Sequence, residues 1–313
     1  VRSAGLVYLF ATRVGTLCLF AYFALLWSVN GSFDLHAPKV AAGSSVATAM
    51  FALALAGFGL KAGAMPLHVW LPGAHANAPS HVSALMSGAL IKMGIYGLVR
   101  FLTWFQSPPA WWGLFILGAG VVSGILGVVF AIAQHDLKRL LAYHSVENIG
   151  IILVGLGIGV LGRSYADDAI FALGVGGALL HVWNHGLFKA LLFLSAGSVL
   201  HATGTRDIDR LGGLSKRMPY TAGGFVAGAV AICGLPPLNG FISELLIYLA
   251  LVRACTHAAG DLFAAGAVGA PALAMIGALA VACFVKVLGT AFLGEPRTAG
   301  AADAHECGPV MLG

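Results

Sequence analysis

The sequence predicts an all-α fold, a polytopic membrane helix bundle with two broken helices. Of its 313 residues, 59% are hydrophobic and only 9% are charged, whereas a soluble domain has about 25% charged residues. The 43 glycines agree with a membrane bundle, because small residues let helix backbones approach closely in lipid. A net charge of +5 then indicates basic loops on one membrane face, and we expect no nucleic-acid partner.

Apolar runs long enough to cross a bilayer, at about 20 residues per helical span, occur eight times along the chain. They lie at 5–30, 46–75, 81–104, 111–134, 140–162, 169–200, 219–255 and 266–293. The second and seventh runs are too long for one helix and contain proline and glycine near the middle. We therefore predict that each forms two half-helices joined by a break, and that residues 1–313 form a single transmembrane domain.

The basic residues of the loops predict the orientation of the bundle. With the N-terminus cytoplasmic, the cytoplasmic segments contain the larger group of basic residues, which are Arg2, Lys138, Arg139, Arg206, Arg210, Lys216, Arg217 and Arg297. The opposite side contains Lys39, Arg163, Arg100 and Arg253. This bias predicts a cytoplasmic N-terminus for the chain.

Ionisable side chains also lie inside the predicted spans. The lysines and glutamates among them are Lys61, Lys92, Lys189, Lys286, Glu147 and Glu244. At about 3 kcal/mol for each central charge, they would together cost roughly 18 kcal/mol in lipid, more than the roughly 5–15 kcal/mol net stability of an ordinary domain. We therefore expect them to pair or to line a hydrated interior. A helix-end anchor is the alternative, and it is strongest for Lys286.

The segment HVWNHGLFK, residues 181–189, predicts a proton relay on one helix. His181, His185 and Lys189 lie at i, i+4 and i+8, and so share one face, which we call the histidine–lysine stripe. Imidazole can pass a proton through either ring nitrogen near neutral pH, and a desolvated lysine can exchange one. Haem and metal sites use the same histidine spacing, but no second histidine pair lies nearby in sequence, and the lysine would repel a cation.

The seventh run contains GLPPLNGF, residues 234–241, where Pro236 and Pro237 must interrupt the backbone hydrogen bonds of a helix. Such a gap is tolerated at membrane depth where protein or water satisfies it. Glu244 follows the break, near the N-terminus of the second half-helix, where the helix dipole favours a carboxylate. We predict that this carboxylate exchanges protons.

The second run contains KAGAMPLHVWLPGAHANAP, residues 61–79, and repeats this pattern. Lys61 ends the first half-helix, where the dipole favours a cation, and Pro66 and Pro72 follow. Two broken helices, each with one charge, are typical of transporters built from inverted repeats. For His68 and His75, a relay role and a structural hydrogen bond are both open.

Five long motifs resemble one known family. They are KAGAMPLHVWLPGAHANAP, SGALIKMGIYG (87–97), DLKRLLAYHSVENIG (136–150), NHGLFKALLFLSAGSV (184–199) and GLPPLNGFISE (234–244). In this order they are similar to the antiporter-like membrane subunits of respiratory complex I, Mrp-type cation/proton antiporters and group 4 membrane-bound hydrogenases. LPPLNGFISE and FVKVLGTAFLGEPRT (284–298) are most similar to the hydrogenase-4 and formate hydrogenlyase members.

The resemblance implies an antiporter-like fold of about fourteen transmembrane helices in two inverted repeats, of which this chain covers the sixth to the thirteenth. We therefore expect the chain to be a fragment. It begins with valine, and its last residues, CGPVMLG, resemble the start of a further helix. The family's fifth-helix glutamate, which pairs with the lysine of the first broken helix, has no counterpart here.

The resemblance also implies roles for individual residues. Lys61 corresponds to the lysine of the first broken helix, Lys92 to the bridging lysine of the next helix, and the histidine–lysine stripe to the family's relay. Glu244 corresponds to the ionisable position of the second broken helix. Lys286 and Glu147 are expected as further members of the route.

The implied function is that of a proton-translocating subunit of a complex-I-like oxidoreductase, of the group 4 hydrogenase or formate hydrogenlyase type, in a bacterial inner membrane. The redox centres would lie in other membrane and peripheral subunits, so we expect no cofactor, no metal and no catalytic residue in this chain. Protons, or Na⁺, would be the cargo. The alternatives are a stand-alone Mrp-type Na⁺(K⁺)/H⁺ antiporter subunit and a haem-binding membrane cytochrome.

Overall fold

The computed structural model describes residues 2–308 and confirms the all-α class. Within that range the regular elements are helices joined by loops, and the one β-type pairing is an isolated bridge between Asp136 and Asp207. The further helix expected at the C-terminal end falls on residues 309–313, outside the described range.

Ten helices of residues 2–308 form the bundle. They are α1 (Arg2–Asn30), α2 (Ser45–Ala62), α3 (Leu71–Asn77), α4 (Ser80–Leu102), α5 (Ala110–Ile132), α6 (Leu137–Ser164), α7 (Asp168–Thr203), α8 (Pro219–Ile232), α9 (Asn239–His257) and α10 (Gly260–Phe292). Eight of these are long and apolar enough to cross a membrane, and α3 and α8 are shorter. Single π-helical turns interrupt α4 at Met86–Leu90 and end α10 at Leu288–Phe292.

The first predicted break is present between α2 and α3. Gly63 ends α2 with a left-handed φ of 76°, and its N–H bonds back to the last turn of that helix. Trp70 Nε1 donates to Leu60 O at 2.9 Å, and Met65 N donates to Ser123 Oγ of α5 at 2.9 Å. Side chains therefore supply the partners that the interrupted helix lacks.

The second predicted break separates α8 from α9. Gly234 has a φ of 61°, and Pro236 and Pro237 follow it. Gly240, in the first turn of α9, packs so closely on the end of α8 that a Cβ there would lie 1.9 Å from Ala231 O. Both long runs are thus half-helix pairs, as the sequence predicted.

Helix α6 is the central element, and every residue of its most apolar segment of 18 residues is buried within the protein. It packs on α5 through glycines on both helices. A Cβ on Gly150 would lie 2.3 Å from Gly124 N, and a Cβ on Gly127 would lie 2.6 Å from Glu147 N. Since lipid provides little hydrophobic drive between helices, this close backbone packing is what holds α5 and α6 together.

Charged loops meet at the two ends of the bundle. At one end Arg206 pairs with Asp136 at 2.5 Å, and Ile208 N bonds to His135 O at 2.9 Å. Lys216 joins Glu295 at the same end, and its hydrogen bond and charge hold the pKa of the Glu295 carboxyl below its ordinary value. At the other end Arg253 pairs with the Asp167 carboxylate at 3.1 Å.

Candidate functional site

The histidine–lysine stripe lies on one buried face of α7, directed towards α6. All three of its side chains are fully buried. The rings of His181 and His185 are nearly parallel, with centroids 6.5 Å apart. The Lys189 ammonium donates to Leu141 O in the second turn of α6. Both ring nitrogens of His185 lack a hydrogen-bond partner within residues 2–308.

Lys92 lies on α4, which packs directly on α7: a Cβ on Gly88 would lie 3.3 Å from Gly186 O, and Lys92 lines a cavity together with Gly186. Its ammonium donates to Ser87 O, within the π-helical turn that directly precedes it. Ser87 Oγ is 2.8 Å from Ser145 Oγ of α6. Hydroxyl contacts therefore connect the turn that holds Lys92 to the same helix that receives Lys189.

His181 joins α7 to both α6 and the second break. Its Nε2 lies 3.1 Å from Asn148 Oδ1 of α6, and its Nδ1 lies 2.9 Å from Ser243 Oγ of α9. Asn184 Nδ2 donates to Ser243 Oγ at 3.1 Å and to Asn239 O at 2.7 Å. This polar network fixes the start of α9 against the middle of α7.

A buried pair of ionisable groups on α6 was not predicted as a pair. His144 Nδ1 contacts Glu147 Oε2, and both side chains are fully buried. The remaining polar atoms of the pair, Glu147 Oε1 and His144 Nε2, have no hydrogen-bond partner within the described residues. The i, i+3 spacing of a histidine and a glutamate in an apolar helix is the sequence signal that identifies such a pair.

His75 of α3 meets the stripe through an aromatic ring. Its imidazole stacks on Phe193 of α7 with centroids 4.9 Å apart, and the Lys189 ammonium lies 5.4 Å from the centroid of that ring. Neither ring nitrogen of His75 has a hydrogen-bond partner within residues 2–308. The His75 carbonyl accepts from Ser83 Oγ, and the role of the His75 side chain stays a prediction.

His68 lies apart from this cluster, beside a polar cavity of about 770 Å³ at the end of the bundle that carries Arg206. The cavity is also lined by Tyr143, whose ring is 6.4 Å from that of His68, and by Arg139. It opens next to the first break. A cavity of this size and polarity can bring water to the base of α3.

Three other predicted site residues lie at the margins of the cluster. Lys61 is half-buried in the last turn of α2 and makes no side-chain hydrogen bond or ion pair within residues 2–308. The Glu244 carboxylate is buried against Gly234, within 2.5 Å of where a Cβ of that glycine would lie. Lys286 donates to Ile132 O at 2.8 Å and to Gln134 O at 3.2 Å, which makes it a cap for the end of α5.

The uncharged members of the network were missed by sequence reasoning. They are Ser87, Ser145, Asn148, Asn184 and Ser243. Short polar residues within helices usually bond to their own backbone, although four of these adjoin a titratable residue: Ser145 follows His144, Asn148 follows Glu147, Asn184 precedes His185 and Ser243 precedes Glu244. Their spacing does not identify their partners, because those come from other helices.

Comparisons with known proteins agree with this architecture. A family model described as NADH:quinone oxidoreductase/Mrp antiporter, TM matches residues 2–268. The chain is 43% identical over 314 residues to hydrogenase-4 component B of Escherichia coli (strain K12), which covers 99% of this chain and 47% of that protein. It is 43% identical over 305 residues to formate hydrogenlyase subunit 3 of the same strain, with coverage of 96% and 49%.

A solved structure also matches. A chain in the structure of the membrane-bound sulfane sulfur reductase, an archaeal respiratory membrane complex, superposes with a TM-score of 0.83 at 26% identity. The match covers 100% of this chain and 50% of that one. The chain thus spans about half the length of the curated relatives that it matches.

Proposed function

Because this chain belongs to the NADH:quinone oxidoreductase/Mrp antiporter transmembrane family, we propose that it moves protons across a membrane as part of a complex-I-like oxidoreductase. The type that we propose is that of its two hydrogenase relatives, hydrogenase-4 and formate hydrogenlyase. One observation carries the proposal: buried lysines, histidines and a carboxylate from four helices adjoin around α6 and not at the lipid surface.

The proposed route runs through the middle of the bundle. In this route, water carries a proton from Lys92, whose ammonium is held at Ser87 O, past the Ser87 and Ser145 hydroxyls to the stripe. From His181 the proton continues towards Glu244 beyond the second break. Hydroxyls and imidazoles both donate and accept hydrogen bonds, so each can pass a proton on while keeping its place.

Each lysine in the route is held at a backbone carbonyl rather than at a carboxylate. The Lys92 ammonium bonds to Ser87 O, and the Lys189 ammonium bonds to Leu141 O. A carbonyl accepts from a neutral amine as well as from an ammonium, whereas a carboxylate would favour the charged form. This arrangement suits a lysine that loses and regains its proton.

Lys61 and His68 belong to the input side in this proposal. Lys61 ends α2 at the first break, and the polar cavity beside His68 brings water to the same region. Partner subunits would carry the redox chemistry and change the charge near Lys61. Lys286 is assigned a structural role as the α5 cap and Glu147 a role in holding His144.

The proposed setting is a bacterial inner membrane, with residues 1–313 as one transmembrane domain and the end that carries Arg206 in the cytoplasm. That end also bears Lys138, Lys216 and Arg297, so the excess of basic residues in the segments joining the helices supports this orientation. Both ring nitrogens of His181 already face Asn148 and Ser243, so His181 is not free to bind a haem iron.

The test is Lys189→Ala in the complete protein, assembled with its partner subunits and reconstituted in vesicles. Electron transfer and proton uptake are measured together. We expect electron transfer to continue and the protons moved per electron to fall by about tenfold or more. Lys216→Ala is the control, because that lysine is exposed and pairs with Glu295.

Two outcomes would contradict the proposal. Normal proton uptake in Lys189→Ala would rule out the stripe as the route. Proton movement that requires Na⁺ or K⁺ and continues without electron transfer would instead favour the antiporter activity that the family description includes.

A further inference from the structure

The hydrogen bonds around His181 determine which atoms donate and which accept. Asn148 Nδ2 donates to His144 O at 2.8 Å, which orients the Asn148 amide. The Asn148 Oδ1 atom therefore faces His181 Nε2 at 3.1 Å as an acceptor. Since an amide oxygen can only accept, Nε2 carries a hydrogen in this network.

Ser243 faces the other ring nitrogen and has two places for its single hydroxyl hydrogen. Its Oγ lies 2.9 Å from His181 Nδ1 and 2.9 Å from Gly240 O. Asn184 Nδ2 donates to the same oxygen at 3.1 Å and so occupies one of its lone pairs. One lone pair of Ser243 Oγ remains available to the imidazole.

Two hydrogen arrangements fit these positions of the heavy atoms. With neutral His181, the Ser243 hydroxyl donates to Nδ1. With a proton on Nδ1, the imidazolium donates to Ser243 Oγ, and the hydroxyl hydrogen turns to Gly240 O. Both arrangements satisfy every polar atom of His181, so a proton can bind without leaving a buried group unpaired.

We propose that Ser243 is a positioning residue for proton transfer, whose hydroxyl rotates between His181 Nδ1 and Gly240 O as His181 releases and binds a proton. Water in the hydrated interior supplies the proton: while the hydroxyl is turned to Gly240 O, an N–H bond forms at Nδ1 and imidazole becomes imidazolium. On release that N–H bond breaks and the proton returns to water. Ser243 keeps its own hydrogen throughout, so its covalent structure does not change. The inference rests on the proposed function, because it takes His181 to carry transported protons.

The rotation acts at the second break. Gly240 lies in the first turn of α9, at the closest contact with α8, where a Cβ would meet Ala231 O at 1.9 Å. In an α-helix the N–H of Glu244 also donates to the Gly240 carbonyl, four residues earlier in the chain. When His181 is protonated, the Ser243 hydroxyl therefore adds a second hydrogen bond to the Gly240 carbonyl. The charge on His181 of α7 is in this way linked to the first turn of α9, which carries Glu244.

The test uses four variants of the intact assembly in vesicles, with electron transfer and proton uptake measured together. They are Ser243→Ala, Ser243→Thr, His181→Gln and the double variant Ser243→Ala/His181→Gln. Thr256→Ala is the matched control, because it also removes a hydroxyl from α9, at an exposed position. Retained electron transfer in each variant shows that the assembly is intact.

We expect Ser243→Ala to lower the protons moved per electron by about tenfold and Ser243→Thr, which keeps the hydroxyl, to restore most of the loss. Ser243→Ala should add no further loss in the His181→Gln background, because the two residues act as one unit.

The failures of the two proposals differ. If Ser243→Ala moves protons as well as Thr256→Ala while His181→Gln does not, the rotating hydroxyl is wrong and the relay stands. If Ser243→Thr is as impaired as Ser243→Ala, the hydroxyl is again not the active feature. If His181→Gln moves protons normally, the relay is wrong, and this inference fails with it.

Discussion

Gly150 is the position at which one added methyl group should disturb the packing of α6 on α5 most clearly. A Cβ there would lie 2.3 Å from Gly124 N, 2.6 Å from Gly120 O and 2.7 Å from Gly124 Cα. These are backbone atoms of α5, so no side-chain rotation relieves the contacts. In Gly150→Ala the two helices must separate by roughly 0.7 Å to bring the shortest contact to 3.0 Å.

Overpacking of this kind destabilises a protein by about 1–3 kcal/mol. For domains of about 150–250 residues, each kcal/mol lowers the midpoint of thermal unfolding by roughly 2–4 °C. We therefore expect Gly150→Ala to unfold several degrees below the wild-type protein in detergent, followed by tryptophan fluorescence. Since Gly127 packs directly on the backbone of Glu147, the same separation should loosen the site around α6.

Gly118→Ala is the matched control for this experiment. Gly118 is also on α5, and nothing lies within 4 Å of a Cβ placed on it. Its replacement should leave the midpoint unchanged or raise it slightly, because alanine favours a helix more than glycine does. Equal midpoints for the two variants would refute the claim that glycine packing sets the distance between α5 and α6.

Three further predictions concern charged residues. Glu147→Ala should unfold at a much lower temperature than Glu147→Gln, because it strands buried His144 without an acceptor and removing one partner of a buried pair costs about 3–5 kcal/mol. Partial burial raises the pKa of Asp167, but hydrogen bonds from the start of α7 and from Arg253 outweigh it, so the pKa lies below 3.8. The stabilisation that follows from this is present above pH 3.8 and is lost as the pH falls through the folded-state pKa; Asp167→Asn should therefore be less stable than wild type at neutral pH, by under about 1 kcal/mol, and the difference should vanish in acid. Lys286→Met should lower the unfolding midpoint while proton uptake continues, since Lys286 caps α5.

The sequence was sufficient to predict the number of membrane-spanning helices and the two breaks. Hydropathy alone predicted eight spans, and eight helices of residues 2–308 are long and apolar enough to cross a membrane. Proline and glycine predicted both breaks, which lie between Ala62 and Leu71 and between Ile232 and Asn239. The family resemblance is confirmed by the match over residues 2–268. These features are local or compositional, so they can be read along a single chain.

The partners of the site residues could not be predicted in the same way. Periodicity placed His181, His185 and Lys189 on one face, but not the atoms that they meet. His181 bonds to residues 33 and 62 positions away in sequence, Asn148 and Ser243. Only the packing of α6, α7 and α9 brings these together. The role of each residue in proton transfer stays a prediction.

Lys286 and Lys189 both lie in apolar spans, but their ammonium groups have different surroundings, which the sequence did not predict. The Lys286 ammonium reaches two carbonyls at the exposed end of α5, Ile132 O and Gln134 O, whereas Lys189 is fully buried against α6. The difference between the two lysines depends on which part of a neighbouring helix each ammonium faces, and this is a property of the tertiary structure.

We infer that the buried ionisable groups around α6 share one hydrated interior. The most direct test of this inference is an electron cryo-microscopy map of the intact assembly at a resolution that shows ordered water. Buried polar groups almost always have partners, so the account predicts water bonded to the ring nitrogens of His185 and continuing towards Lys189. A map in which apolar side chains seal these nitrogens and no water lies between His185 and Lys189 would contradict it.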